Sequence, residues 1–84
     1  RMAYRFIFSE TAKRDIAALE AEVRKRIHKK LRRYEQQASA DLKKLDDGPA
    51  EFRLRVGDYR LLLDKEGGTL YILRVHHRKD AYRR

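Results

Sequence analysis

The sequence predicts an α+β fold in which a helical hairpin packs on one face of a mainly antiparallel four-stranded sheet, in the order β-α-α-β-β-β. Three observations predict this. Aromatic and β-branched residues predominate at positions 3–8, apolar residues then recur at helical spacing, and an alternating segment begins at residue 52. Because 84 residues allow only a modest core, we expect a single domain over residues 1–84 with one face of the sheet covered.

The first strand, at residues 3–8, leads into a helix because Ser9 can cap it. Apolar side chains then recur every three or four positions through about residue 38: Ala12, Ile16, Leu19, Val23, Ile27, Leu31 and Tyr34. A single helix of that length would extend about 40 Å, which is too long for so small a domain. We therefore expect two helices that meet near Glu20 to Glu22, and a linker at 46–49 that ends the helical region.

The segment 52–61 reads F-R-L-R-V-G-D-Y-R-L and predicts a hairpin. Glycine at the first central position of the Gly57-Asp58 turn indicates a type II′ turn. Such a turn pairs Val56 with Tyr59, Leu54 with Leu61, and Arg55 with Arg60. The apolar side chains then share one face, and the other face carries Arg53, Arg55 and Arg60. Because like charges set opposite each other destabilise a sheet, this clustering indicates a site for an anion.

The last hairpin, around Gly67-Gly68, has two alternative registers. A tight two-residue turn would direct two polar side chains toward the core: Arg74 and His76. A longer loop with a glycine bulge would instead bury three others: Tyr71, Leu73 and Val75. We expect the bulged register, because burying an unpaired arginine costs several kcal/mol whereas a bulge is well tolerated. It adds three residues to the basic face: Arg74, His76 and Arg78.

Charge and composition restrict the function classes. The chain has 22 Lys+Arg against 13 Asp+Glu, a net charge of +9, which indicates a nucleic-acid partner or an acidic protein. Without cysteine it forms no disulfide or thiolate metal site, and no apolar run approaches the ~18 residues of a membrane span. A cytoplasmic protein is expected. A run of basic helical residues is either a solvated face or an RNA attachment surface: Arg24, Lys25, Arg26, Lys29, Lys30, Arg32 and Arg33.

The residue types on the arginine face suit metal-independent RNA cleavage. That reaction needs a base for the ribose 2′-hydroxyl, positive charge around the phosphorus, and an acid for the leaving 5′-oxygen. Arginine supplies fixed donors for phosphate oxygens, histidine transfers protons near neutral pH, and tyrosine stacks on bases. No paired carboxylates suggest a metal, and adjacent His76 and His77 point to opposite sides of a strand. We therefore expect no metal and no cofactor.

Several segments resemble the RelE/ParE toxins of bacterial and archaeal type II toxin-antitoxin systems, and the resemblance covers nearly the whole chain. It rests on Tyr4-Arg5-Phe6, on V-R-K-R-I-H-K-K-L at 23–31, on Leu45 ahead of Gly48, on the hairpin at 52–61, and on V-H-H-R-K-D-A-Y at 75–82. It implies a RelE/ParE-like, microbial-RNase-like fold. RelE-type members are ribosome-dependent messenger-RNA endonucleases, whereas ParE-type members poison DNA gyrase on the same fold, so the fold alone does not separate them.

The resemblance also implies site residues. Arg53 and Arg55 match two basic strand residues of RelE-type toxins, Arg60 matches the arginine after the G-x-Y turn, and Arg78 matches the basic residue after the last strand. Tyr82 matches the terminal tyrosine that stacks on the messenger base, although it could instead anchor the C-terminus on the sheet. The strand positions are lysine in the best-known members. Because arginine is a poor general base, the proton-transfer candidates are two histidines: His76 and His77.

From the resemblance we expect an endoribonuclease toxin that cleaves messenger RNA in the ribosomal A site and inhibits translation. Its partners would be the ribosome, messenger RNA and a cognate antitoxin whose acidic, partly disordered segment covers the basic face; no membrane and no small-molecule ligand are expected. Two alternatives stay open. One is a ParE-like inhibitor of gyrase without enzymatic activity, and the other is an inactive module that binds RNA or antitoxin.

Overall fold

Two helices and five strands make up the computed structural model of the chain, which describes residues 5–36, 42–46, 48 and 50–79. In chain order the elements are β1 (Arg5–Phe8), α1 (Glu10–Ala17), α2 (Ala21–Gln36), β2 (Leu42–Lys44), β3 (Phe52–Val56), β4 (Tyr59–Glu66) and β5 (Thr69–His77). The strands form one sheet in the order β1-β5-β4-β3-β2. The β1 strand runs parallel to β5, and the other neighbours are antiparallel. The predicted α+β class is confirmed.

The helical hairpin follows the pattern that its sequence predicts. Ser9 caps α1 by accepting a hydrogen bond from the Ala12 amide at 3.0 Å. Residues 18–20 separate the helices and overlap the predicted break, near Glu20 to Glu22, at Glu20. The apolar stripe of both helices lies against the sheet, where Ile16 and Ile27 are buried.

The sheet has five strands, so the predicted count of four was wrong. The missed strand is β2, which pairs with the edge of β3 through Leu42 opposite Leu54 and Lys43 opposite Arg53. The helical region therefore ends before residue 42 rather than at the linker 46–49. A three-residue strand with two lysines has no readable alternation, because its conformation comes from hydrogen bonds to β3. Short, lysine-bearing edge strands also limit pairing with other chains.

The register of the last hairpin combines the two predicted alternatives. The turn is the tight one, with Glu66 opposite Thr69 and a left-handed φ of +60° at Gly67. The pairing of β4 with β5 then shifts at a β-bulge, between Leu62 and Leu63 of β4. Beyond the bulge, the pairs are those of the predicted register: Leu61 with Val75 and Arg60 with His76. Because β5 has one extra residue at the bulge, the hairpin combines the tight turn with an apolar core.

This register corrects two predicted core positions. Leu70 and Ile72 are fully buried, whereas Tyr71 and Leu73 are only partly buried and line a depression on the opposite face of the sheet. Val75 is buried as predicted. Among the described residues, the buried set joins both helices to the three central strands: Ala12, Ile16, Ile27, Leu31, Tyr34, Leu54, Val56, Leu61, Leu63, Leu70, Ile72 and Val75. The sheet therefore has one covered face and one face, here called the outer face, turned away from the helices.

Candidate functional site

The β3–β4 hairpin forms as its sequence predicts and places the arginines on the outer face. Val56 pairs with Tyr59 and Arg55 pairs with Arg60. Gly57 has a φ of +60°, and no described non-glycine residue has a positive φ, which is the pattern of a type II′ turn. A Cβ atom added at Gly57 would lie 3.6 Å from a guanidinium nitrogen of Arg26. The α2 helix thus brings another positive charge to this turn.

Two rows of residues cross the outer face from strand to strand. The first row consists of Arg55, Arg60 and His76, on β3, β4 and β5. The second row consists of Lys43, Arg53, Leu62 and Arg74, on β2 through β5. Residues that pair directly have Cβ atoms roughly 5 Å apart. We call the cationic residues of these rows other than Arg74, together with His76, the basic half: Lys43, Arg53, Arg55, Arg60 and His76.

Guanidinium groups of the basic half are partly enclosed. Arg53 and Arg60 are half-buried, while Arg55 is exposed. The Nε atom of Arg53 is buried and makes no hydrogen bond to the part of the chain that the structure describes. A buried donor without an acceptor is unfavourable, and a phosphate or carboxylate oxygen on this face would satisfy it. The basic half therefore has the properties of an anion-binding surface.

The two histidines have different surroundings. His76 is half-buried on the outer face opposite Arg60. His77 contacts Tyr59 edge to face, with ring centroids 5.1 Å apart. Its Nδ1 accepts a hydrogen bond from the Lys79 amide at 3.1 Å, which requires an unprotonated Nδ1. His76 is consequently the histidine that the structure places beside the arginines.

The chain end after β5 is attached to the β3–β4 turn. The amide of Arg78 donates a hydrogen bond to the carbonyl oxygen of Asp58 at 2.6 Å. This bond holds the backbone of Arg78 close to the end of the row that contains His76. Tyr82, the remaining predicted site residue, lies outside the described residues.

Arg74 shares the outer face with Arg60 and His76, but its charge is compensated. Its Nε and Nη2 atoms donate to the Oδ2 and Oδ1 atoms of Asp15 on α1, at 2.8 and 3.3 Å. The Val75 amide donates to the same Oδ2 atom at 2.9 Å. The expectation that Arg74 would act with the other arginines overlooked this pair, since 59 residues separate its members and no local sequence pattern connects them.

The electrostatics of Asp15 reflect these contacts. Partial burial by itself would raise the pKa of the carboxyl group. The hydrogen bonds from Arg74 and from the Val75 amide, together with electrostatic interactions with Arg74 and His76, outweigh burial and lower the pKa of Asp15 below its ordinary value of 3.8. The same ion pair raises the pKa of Arg74. Asp15 is therefore an ionised carboxylate at neutral pH that lies within electrostatic reach of His76.

Two negative findings apply to the described residues. Among residues 5–36, 42–46, 48 and 50–79, no group of three or more His, Asp or Glu side chains could hold a metal ion. Within the same ranges, neither helix has the length and apolar character needed to cross a membrane.

Comparison with known proteins places these features among toxins. The model of the family described as "ParE toxin of type II toxin-antitoxin system, parDE" matches residues 6–82. Toxin RelE3 of Methanocaldococcus jannaschii is 31% identical over 81 residues, which cover 90% of this chain and 92% of that protein. The toxin-antitoxin complex RelBE2 from Mycobacterium tuberculosis contains a chain with a TM-score of 0.79 and 28% identity, covering 90% of this chain and 99% of that one. The RelB-RelE complex from Methanococcus jannaschii gives a TM-score of 0.73 and 29% identity, covering 90% and 94%.

Proposed function

Because this chain belongs to the RelE/ParE superfamily of toxins of type II toxin-antitoxin systems, we propose that it is an endoribonuclease that cleaves messenger RNA in the ribosomal A site. The observation that carries the proposal is the row of Arg55, Arg60 and His76 across three adjacent strands. It combines two fixed positive charges with one group that transfers protons near neutral pH. Such a row suits a phosphodiester better than a neutral ligand.

The proposed reaction is the attack of a ribose 2′-hydroxyl on the adjacent phosphorus. His76 accepts the 2′-hydroxyl proton, because it is the histidine on the outer face. His77 contacts Tyr59 and is the second candidate for this proton transfer. Bond formation to the 2′-oxygen breaks the bond from phosphorus to the 5′-oxygen, which takes up a proton from solvent water, and leaves a cyclic 2′,3′-phosphate. Arginine stays protonated throughout, so it stabilises charge rather than abstracting a proton.

The arginines have complementary roles in this proposal. Arg60 and Arg55 bind the non-bridging phosphate oxygens, where negative charge increases in the transition state. Arg53 donates its buried Nε to the same or the neighbouring phosphate, and Arg78, attached next to the β3–β4 turn, faces the leaving-group side. Tyr82 would stack on the base of the cleaved codon. Each of these roles can be tested by substituting the residue.

The proposed partners follow from the charge of the outer face. A cognate antitoxin would cover the basic half with an acidic, partly disordered segment, as the solved relatives are themselves toxin-antitoxin complexes with RelB. The ribosome would supply the alignment of the messenger, because the outer face is an open sheet surface. This activity places the protein in the cytoplasm, where translation takes place.

The test is primer extension on a defined messenger bound to 70S ribosomes. The native chain is compared with Arg60→Ala, Arg78→Ala, His76→Ala and His77→Ala. Arg5→Ala serves as the matched control, because Arg5 is an exposed arginine on β1, away from the two rows. We expect cuts within the A-site codon that disappear in Arg60→Ala and His76→Ala and persist in Arg5→Ala. An intact messenger together with growth arrest would contradict the nuclease proposal.

A second candidate function is inhibition of DNA gyrase without enzymatic activity. It is favoured by the family model that matches, which describes ParE toxins, and by arginine in place of lysine at positions 53 and 55. Such a protein would tolerate loss of His76 and would block supercoiling by purified gyrase. A third candidate, an inactive module, would bind RNA or antitoxin and neither cut RNA nor inhibit gyrase.

A further inference from the structure

We propose that Asp15 is a positioning residue for the cleavage site, which it serves by holding the part of β5 that leads into His76. The inference rests on the proposed function, because it concerns the same outer-face row. Asp15 itself lies on α1 and touches none of the groups assigned to the phosphate. It acts through Arg74 and through the backbone of β5.

The first step of the argument is the free edge of β5. Its neighbour β1 pairs only as far as Phe8, opposite Ile72. Beyond that point the Ser9 amide donates to the Ile72 carbonyl oxygen, and the Ser9 hydroxyl donates to the Leu73 carbonyl oxygen, both at 2.9 Å. The Asp15 carboxylate then accepts from the Val75 amide at 2.9 Å. The backbone and side chain of Ser9 and the side chain of Asp15 thus provide the hydrogen bonds that a neighbouring strand would otherwise make along this stretch.

The second step is the location of this stretch at the β-bulge. Pairing between β4 and β5 shifts between Leu62 and Leu63. A bulge leaves one residue outside the ladder and increases the local twist, so the direction of the following side chains depends on what holds the bulged strand. The residues that follow are Arg74, Val75 and His76. Asp15 is hydrogen-bonded to the first two of them, and His76 follows Val75 directly in the chain.

The third step is the electrostatic effect on the row. By binding Arg74 through both nitrogens, Asp15 removes that guanidinium from competition for an anion on the outer face. The side chain of Asp15 is 17% exposed and that of Arg74 is 46% exposed, so solvent is excluded mainly from the carboxylate side of the pair. Asp15 also interacts electrostatically with His76. Asp15 therefore orients the strand that carries His76 and sets the charge beside it.

The experiment measures cleavage of ribosome-bound messenger at increasing ribosome concentration, so that kcat and KM are obtained separately. The variants are Asp15→Ala, Asp15→Asn, Arg74→Ala and the double variant Asp15→Ala/Arg74→Ala. Glu10→Gln is the matched control, because Glu10 lies on the same helix in an exposed ion pair with Lys13 at 3.3 Å. Thermal unfolding and amide hydrogen exchange of β5 are measured on the same proteins.

We expect Asp15→Ala to lower kcat roughly ten- to a hundredfold, which is the usual cost of a misplaced reacting group. The KM should change by less than about threefold, because the phosphate-binding arginines remain in place. Asp15→Asn should fall in between, since its side-chain oxygen still accepts from the Val75 amide. The double variant should be no worse than Asp15→Ala alone, because the two residues act as one unit. Exchange at the His76 and His77 amides should increase in Asp15→Ala and not in Glu10→Gln.

The outcomes separate this inference from the function on which it rests. If the native chain does not cleave, the proposed function fails and the positioning role fails with it. If the native chain cleaves, His76→Ala does not, and Asp15→Ala keeps the native kcat, then only the positioning role is overturned. A rise in KM with unchanged kcat overturns it as well. So does a loss of activity that equals the fraction of unfolded protein while Asp15→Asn is fully active.

Discussion

Two halves of the outer face differ in how their charges are satisfied. In the basic half, Arg55 faces Arg60, and the buried Nε of Arg53 makes no hydrogen bond to a described residue. The other part of this face, here called the mixed half, consists of Arg5, Ile7, Glu51, Asp64, Tyr71 and Leu73. There the Glu51 amide donates to Asp64 at 3.0 Å, and the Lys65 amide donates to the Glu51 carboxylate at 2.9 Å.

Strands β4 and β5 contribute to both halves, so along these two strands the contrast comes from the side chains and not from backbone architecture. The mixed half follows the rules that favour stability, because its carboxylates accept hydrogen bonds from the backbone. The basic half departs from those rules by setting like charges together. Departures of this kind are expected at functional sites, where binding compensates for the unfavourable arrangement. The difference therefore supports the proposed assignment of function to the basic half.

The largest expected effect separates activity from stability within the outer face. Arg55→Ala should lower the cleavage rate roughly a hundred- to a thousandfold, the usual loss when one group that stabilises transition-state charge is removed. The same change should leave Tm unchanged or slightly higher, because repulsion against Arg60 disappears. Arg5→Ala, in the mixed half, should retain native cleavage. Equal activity of the two variants would contradict the assignment of function to the basic half.

Salt dependence of RNA binding gives a second comparison. If three arginines each neutralise one phosphate of a single strand, affinity should fall roughly tenfold to twentyfold between about 50 and 200 mM salt. Arg55→Ala should reduce the slope of log affinity against log salt by about 0.7, while Arg5→Ala should not change it. Fluorescence anisotropy with a short single-stranded RNA measures both slopes. Identical slopes for the two variants would show that charge acts without regard to position.

A third substitution tests the mixed half alone. Asp64→Ala removes the acceptor of the Glu51 amide and should lower the free energy of unfolding by about 1 kcal/mol, with native cleavage retained. Glu66→Ala, an exposed acid on the same strand, is the control and should have a smaller effect. Urea unfolding followed by circular dichroism provides the values. Loss of cleavage in Asp64→Ala would show that the mixed half also contributes to activity.

The smallest expected effect concerns Asp15 at low pH. Because the pKa of Asp15 is lowered in the folded protein, the unfolded chain binds its proton more readily. The contribution of Asp15 to stability is therefore fully present above the ordinary pKa of 3.8 and is lost as the pH falls from there through the lowered value. The difference in unfolding free energy between the native chain and Asp15→Asn should shrink over that range. A difference that stays constant from about pH 5 to pH 2 would contradict this account.

Local patterns were sufficient for the parts of the molecule in which neighbours in sequence are neighbours in space. The apolar stripe predicted both helices, and glycine at position 57 predicted the turn that aligns Arg55 with Arg60, as the structure confirms. The type of turn at Gly67-Gly68 was predicted incorrectly, because the bulge that corrects the register lies several residues away, at Leu62 and Leu63.

The remaining differences have the same physical origin. The β2 strand was missed because three residues next to a linker form a strand only when β3 offers its edge. The pair of Asp15 and Arg74 was missed because it joins a helix and a strand that are distant in the chain.

Sequence alone determined the α+β class, the hairpin geometry and the clustering of arginines, since side-chain periodicity and turn chemistry act within a few residues. Only the tertiary structure decided where the bulge lies and that Arg74 is bound by Asp15. Those features depend on how backbone groups at a strand edge find hydrogen-bond partners after the chain has folded. Every buried backbone group needs a hydrogen-bond partner, and because that partner can come from any part of the folded chain, no single segment of the sequence encodes it.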